Sequence, residues 1–272
     1  MAEITAKLVN ELRARTGQGM MECKKMLTTA DGDIDKAIDE FRKKGVKASL
    51  LERSATEGRI VGAVSSDGKS GALVEVNCNT DFTAKSDPVL ALANDAAKLL
   101  LADAMLDVAN APTVKAQVTE AAQKTGENVR IGKTAQLSNP AGKVALYIYT
   151  ITHKIGVLAS ASGPATDELL RDICVHIVAA KPMALALNRE GLPADLVQKE
   201  REIAIEQAKA SGKPQAIAEK IAEGKLRSFF EERALLEQPY VNPDKFKGSV
   251  GEYLKSAGVT LEKYVRLEVG GI

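Results

Sequence analysis

Histidine and cysteine are scarce in this chain: two histidines and three cysteines among 272 residues. Enzymatic acid–base or covalent chemistry needs several such groups within mutual reach, and so thin a supply makes a poor host for it. Cys23, Cys78 and Cys174 are far apart, odd in number and free of any CxxC spacing, which argues against a disulfide framework or a zinc site and for a reducing compartment. Charge of one sign is also missing, since 37 lysines and arginines face 36 aspartates and glutamates and leave +1. That balance gives no overall electrostatic footprint for nucleic acid or an anionic membrane surface. No apolar run is long enough to span a bilayer. The opening MAEITAKLVNELRART lacks the basic-then-apolar order of a secretory signal and has too many acids for a transit peptide. A mature cytoplasmic protein is expected, large enough for two or three compact units.

What is present divides into helical and strand-rich stretches. Residues 1 to about 45 read as three short helices. Ile4, Leu8 and Leu12 mark the first, Met20 to Thr29 the second, and Ile34, Ala37, Ile38 and Phe41 the third, with Gly17-Gln18-Gly19 and Asp31-Gly32-Asp33 as turns. The charged stretch from Lys43 to Glu57 is the expected linker. Two strands follow, Gly58 to Ser65 and Ala72 to Asn77, joined by SSDGKSG. Gly68-Lys69-Ser70 in that turn imitates a phosphate loop. However, the motif requires glycine where Ala63 stands, and it must open a helix, so the turn reads as a hairpin. Asp87-Pro88 then opens a helix expected to reach about Leu106, and another starts near Pro112.

Further strands are predicted in NVRIGKTAQL, KVALYIYTIT and IGVLASASG, followed by a helix from Thr166 to Lys181. From Pro193 to about Gln238, two charged helical patterns flank Ser211-Gly212-Lys213-Pro214, as in an antiparallel helical hairpin. Leu196, Ile203 and Ile205 face Ile217, Ile221, Leu226 and Phe230 as its expected seam. Ser249-Val250-Gly251-Glu252 is a capping box, and VTLEKYVRLEV a last strand. The order strand, strand, helix, helix, strand occurs twice, with the hairpin inserted in the second copy. This supports an α+β core of two related subdomains behind a small N-terminal three-helix domain.

The candidate site residues are few. The strand GALVEVN runs into NCNTDFTAKSDP, which puts Phe82, one of five phenylalanines, in a loop beside Asp81. Cys78 reads as a small buried residue at a strand end, or as a nucleophile if a base approached. His176, on an apolar helix, reads as a packed structural histidine, while His153, between strands, is the better contact candidate. The N-terminal helices do not suit a DNA groove, because Asp35, Asp39 and Glu40 would repel phosphate. More distinctive are Arg13, Met20 and Met21. Adjacent methionines cannot both face so small a core, so one is expected at the surface as an adaptable contact. From the residues alone, a thiol-dependent enzyme using Cys78 and His153 and an adaptor working through residues 1–54 remain as alternatives.

ITAKLVNELRARTGQGMMECKKML, DGDIDKAIDEFRKKG, EVNCNTDFTAK, IGVLASASG, KPQAIAEKIAEGKLRSFFEE and VRLEVG together closely resemble the bacterial elongation factor Ts family over almost the whole chain. The resemblance implies a guanine-nucleotide exchange factor for elongation factor Tu, without covalent chemistry or a cofactor. It implies a ubiquitin-associated-like (UBA-like) domain at residues 1–54, core subdomains at 55–140 and at 141–182 with 239–272, and a helical arm at 183–238. It also implies that Thr80, Asp81, Phe82 and Thr83 press beside the partner's magnesium site, with Thr83 standing where the family usually has valine. Arg13, Met20 and Met21 match partner-contacting positions, and His153 is a further possible contact. The arm is expected to self-associate or touch the partner; direct nucleic-acid or membrane binding is not expected.

Overall fold

The computed structural model of the chain describes residues 4–16, 18–43, 55–212 and 214–271. Gly17 of the first expected turn, residues 44–54 of the expected linker and Lys213 of the hairpin turn lie outside the described residues.

Three helices open the chain: α1 (Ala6–Thr16), α2 (Met20–Thr29) and α3 (Ile34–Lys43). Val9 and Leu12, then Cys23, Met26 and Leu27, then Ala37, Ile38 and Phe41 form one buried cluster. Their spacing of three and four residues puts each set on one helical face. Between α2 and α3, Asp31 and Gly32 take left-handed backbone conformations (φ 52° and 84°), which residues of these types adopt at low cost.

The first α/β half pairs β1 (Glu57–Val64) and β3 (Arg130–Ser138) antiparallel on either side of β2 (Ser70–Cys78). The turn carrying Gly68-Lys69-Ser70 is a hairpin closed upon itself. The Ser65 hydroxyl accepts the Ser70 amide at 2.9 Å and donates to Asp67 at 2.6 Å. After β2 come α4 (Asp81–Ala84), α5 (Asp87–Ala102) and α6 (Pro112–Thr125). Ala72, Val74, Val76 and Cys78 share one face of β2 and join Val89, Leu92, Ala96 and Leu100 of α5 in a single core. On the other face, a β-carbon added at Gly156 would come within 2.8 Å of Leu73 and 2.5 Å of Ile60. Only glycine allows that approach. Because both faces are covered, β2 is buried from Gly71 to Cys78 although its sequence alternates. The fifth helix stops at Ala102, short of the expected Leu106. Asp103 turns extended, and its carboxylate accepts the Met105 amide at 2.9 Å, a local bond that competes with continuing the helix.

The second half repeats the plan. Strands β4 (Lys143–Ile148), β5 (Ile155–Ser162) and β6 (Thr260–Glu268) form a sheet in that order. Between β5 and β6 lie α7 (Asp167–Ala179), the hairpin α8 (Ala194–Ala210) and α9 (Gln215–Arg233), and α10 (Val250–Ser256), which carries the Ser249–Glu252 capping box. The seam of the hairpin differs from expectation. Its buried residues are Ala204, Ala208, Ala218 and Ala222, while of the expected seam Leu196, Ile205, Ile221, Leu226 and Phe230 are half-buried and Ile203 and Ile217 exposed. Small side chains let two helix backbones approach closely and leave bulkier neighbours at the edges.

The described residues fall into two compact units. One draws on the chain up to Ser138, on Ile148–Leu158 and on the segment from Arg266; the other comprises Asn139–Tyr147 and Ala159–Val265. Strands β4, β5 and β6 each contribute residues to both.

Candidate functional site

The TDF segment forms α4, a single turn that could not stand alone, because one turn fixes many dihedrals for few hydrogen bonds. It is held from both ends. Thr80, in extended conformation, is its N-cap, and the Thr80 hydroxyl accepts the Thr83 amide at 3.3 Å. At the other end the Ser86 hydroxyl donates to the Thr83 carbonyl at 2.7 Å, and the Arg59 guanidinium donates to the Ala84 carbonyl at 3.0 Å. Thr83 and Ala84 face inward and are buried, whereas Phe82 is 82 % exposed. Of the four expected contact residues, Thr83 is therefore the one that supports the turn from inside. Asp81 forms an ion pair with Lys85 at 2.8 Å. The hydrogen bond from Lys85 holds its carboxyl below the usual carboxylate range.

Beside this turn runs a groove of about 490 Å³, lined by Glu57, Arg59, Thr80, Asp81, Ile151 and His153 among others. The structure thus brings His153 to the same feature as Thr80 and Asp81. The His153 backbone is left-handed (φ 56°) and fixed by two bonds: its amide donates to the Tyr149 carbonyl at 2.8 Å, and its carbonyl accepts the Ile60 amide at 2.7 Å. Burial, and then the nearby Arg59 cation, lower its pKa and favour the neutral ring. The acids of the groove are already paired, Glu57 with Lys154 and Asp81 with Lys85.

Ile151, 77 % exposed on the groove, escaped sequence reasoning because YIYTIT reads as continuous strand, yet β4 ends at Ile148. Glu127 was missed as well. Its carboxylate accepts the amides of Asn79 and Thr80, both at 3.0 Å, and the Thr80 hydroxyl at 2.7 Å. No local pattern announces a bond across 47 residues of chain.

Cys78 is buried beneath this turn, and its thiol donates to the Thr80 carbonyl at 3.1 Å. Burial, with the Glu127 charge adding to it, pushes the thiol up to about 11. It stays protonated near neutrality and is a poor nucleophile. His176 is fully buried and bonded on both ring nitrogens, with Gln238 Oε1 at 3.0 Å and the Val241 amide at 3.2 Å, as read from its apolar helix.

The N-terminal candidates lie elsewhere. Arg13 is half-buried in the last turn of α1, and none of Arg13, Met20 and Met21 lines the groove. Both methionines are exposed, at 49 % and 71 %, where one was expected. They begin α2, and Gly19 just before them lies against Asn110, whose Oδ1 would be 2.7 Å from an added β-carbon.

Among the described residues no helix is long and apolar enough to cross a membrane. The sequence profile described as "Elongation factor TS" matches residues 79–271. Curated relatives named "Elongation factor Ts" include one from Methylococcus capsulatus, 44 % identical over 98 % of this chain and 92 % of its own length. Another, from Thiobacillus denitrificans, is 43 % identical over 99 % of this chain and 93 % of its own. A third, from Alkalilimnicola ehrlichii, is 41 % identical over 98 % and 92 %. Together with an α+β core of two like halves behind three helices, these matches place the chain in the elongation factor Ts family.

Proposed function

We propose that this chain is a cytoplasmic guanine-nucleotide exchange factor for elongation factor Tu, and that Phe82 is its wedge. The observation that carries this reading is a large aromatic ring held almost fully exposed on a short helix capped at both ends. A ring in water gains from burial, and here the burial is supplied by the partner. In this reading Phe82 enters the nucleotide domain of the partner beside its magnesium site, while Thr80 and Asp81 meet the surface around it and Thr83 braces the turn from inside. Magnesium demands near-octahedral coordination and bridges protein to phosphates, so a small displacement of its surroundings weakens GDP retention. No covalent bond is made or broken.

Burying one phenylalanine stabilises a complex by about 1.5–3 kcal/mol, which is worth one to two decades of affinity. Further contacts must supply the rest. Arg13, Met20 and Met21 offer one set, on an N-terminal domain ending near residue 54, and His153 another, on the wall of the groove. The core subdomains (55–140, and 141–182 with 239–272) carry the wedge, and the arm at 183–238 makes a further contact with the partner or a second copy. The effect is reciprocal: GDP weakens this chain's hold on the partner by the factor with which the chain weakens GDP.

The test follows fluorescent GDP leaving elongation factor Tu when the protein is added in catalytic amounts. Wild type accelerates release, and Phe82→Ala lowers the acceleration by about 10- to 100-fold. No acceleration by wild type would sink the exchange reading; equal acceleration by both would sink the wedge.

A further inference from the structure

An exposed side chain cannot fix its own direction by packing, so the direction of Phe82 must come from its backbone. That backbone hangs on Glu127. Helix α6 ends at Thr125 and is capped by Gly126, whose left-handed conformation (φ 70°) turns the chain and brings the next residue back toward the end of β2. There Glu127 Oε2 accepts two consecutive amides, Asn79 and Thr80, and Oε1 accepts the Thr80 hydroxyl. With its proton committed to Glu127, that hydroxyl presents a lone pair to the Thr83 amide, the bond that starts α4. Asn79 Oδ1 accepts the Asn128 amide at 2.8 Å from the same stretch. One carboxylate thus collects three donors from the two residues before the TDF helix and sets the cap through one of them. Bonds to an ionised acceptor are the stronger kind.

We infer that Glu127 is the positioning residue of the wedge: it preorganises α4 so that binding need not order Phe82 first. The inference rests on the exchange reading for its kinetic consequence and on the free protein alone for its structural one. Glu127→Ala removes all three acceptor contacts. Glu127→Gln keeps an acceptor for the two amides, but it loses the charge and offers the Thr80 hydroxyl a donor where Oε1 had accepted its proton.

The experiment combines fluorescent GDP release from elongation factor Tu with site-resolved amide hydrogen exchange in the full chain. Expected are GDP release about tenfold slower with Glu127→Ala, exchange of the Asn79, Thr80 and Thr83 amides at least about tenfold faster, and intermediate values for Glu127→Gln. Within Phe82→Ala, adding Glu127→Ala slows release no further. An undiminished additional loss in that background overturns the inference, because Glu127 would then act other than through Phe82. Should Phe82→Ala alone release GDP at the wild-type rate, the wedge reading falls. Amide exchange then decides the positioning role, with unchanged protection of Thr83 in both Glu127 variants overturning it. Should Glu127→Ala fail to fold, Glu127→Gln carries the test, with amide protection equal to wild type counting against the charge-assisted cap.

Discussion

Between Cys78 and Phe82 the chain passes from complete burial to near-complete exposure within five residues. The end of a fully covered strand lies next to a turn that reaches into water. That contrast assigns the residues different chemistry. Cys78 packs under the turn with its thiol raised to about 11, so its thiolate is a trace species at neutral pH. Alkylation of native protein by iodoacetamide at about pH 8 is expected to leave Cys78 at least ~10-fold less modified than a free cysteine, whose pKa is near 8.5; mass spectrometry of the digest measures it. Rapid modification would revive the thiol reading. Phe82 itself was legible as an oddity from its loop and its scarcity. The inward turn of Thr83 was not, because facing in a one-turn helix is set by the cap and by the packing of Thr83 and Ala84.

At the scale of elements, the root of the hairpin shows how buried polar groups hold an arm. Gln238 donates to the carbonyls of Pro182 at 2.8 Å and Glu232 at 2.7 Å, leaving its oxygen for His176. His176 must then donate through Nε2 and accept the Val241 amide at Nδ1, which only a neutral ring can do. Burial lowers its pKa against the opposing pull of Gln238. The unfolded chain takes up this proton first, near pH 6.5, so this group's contribution is present above that value and declines as pH falls below it. Urea midpoints are expected to drop between about pH 7 and about pH 5.5, with a shallower drop in His176→Gln. A parallel drop in both would exclude His176 as the cause. The helix hosting His176 and its structural role followed from apolar periodicity. Its partners, more than sixty residues away at Gln238 and Val241, did not, since hydrogen bonds between distant segments leave no local trace. The alanine seam was likewise hidden behind the isoleucines: periodicity marks an apolar stripe without saying how closely two stripes approach.

For the whole molecule, two three-stranded sheets with the same strand order make the doubled strand–helix pattern of the sequence a physical repeat, with the arm inserted in its second copy. The formal charge of +1 supplies no long-range field to steer a partner. Association with elongation factor Tu, measured by stopped-flow mixing, is therefore expected to change less than about threefold between about 50 and about 300 mM salt. A steep fall with salt would reveal a local charged patch governing encounter.

The sequence by itself determined what depends on near neighbours. Helix faces, caps such as Ser249–Glu252, the hairpin turn after β1 and the family to which the motifs belong all rest on residues a few positions apart, where spacing alone dictates geometry. Only the tertiary structure decided what depends on distant segments meeting. It buried β2 on both faces, set His153 and Ile151 on one groove with Asp81, turned Thr83 inward, and brought Glu127 back to Thr80, the cap of the helix that carries Phe82. These arrangements are made by packing and hydrogen bonding across tens of residues, and such contacts exist only once the chain has closed upon itself.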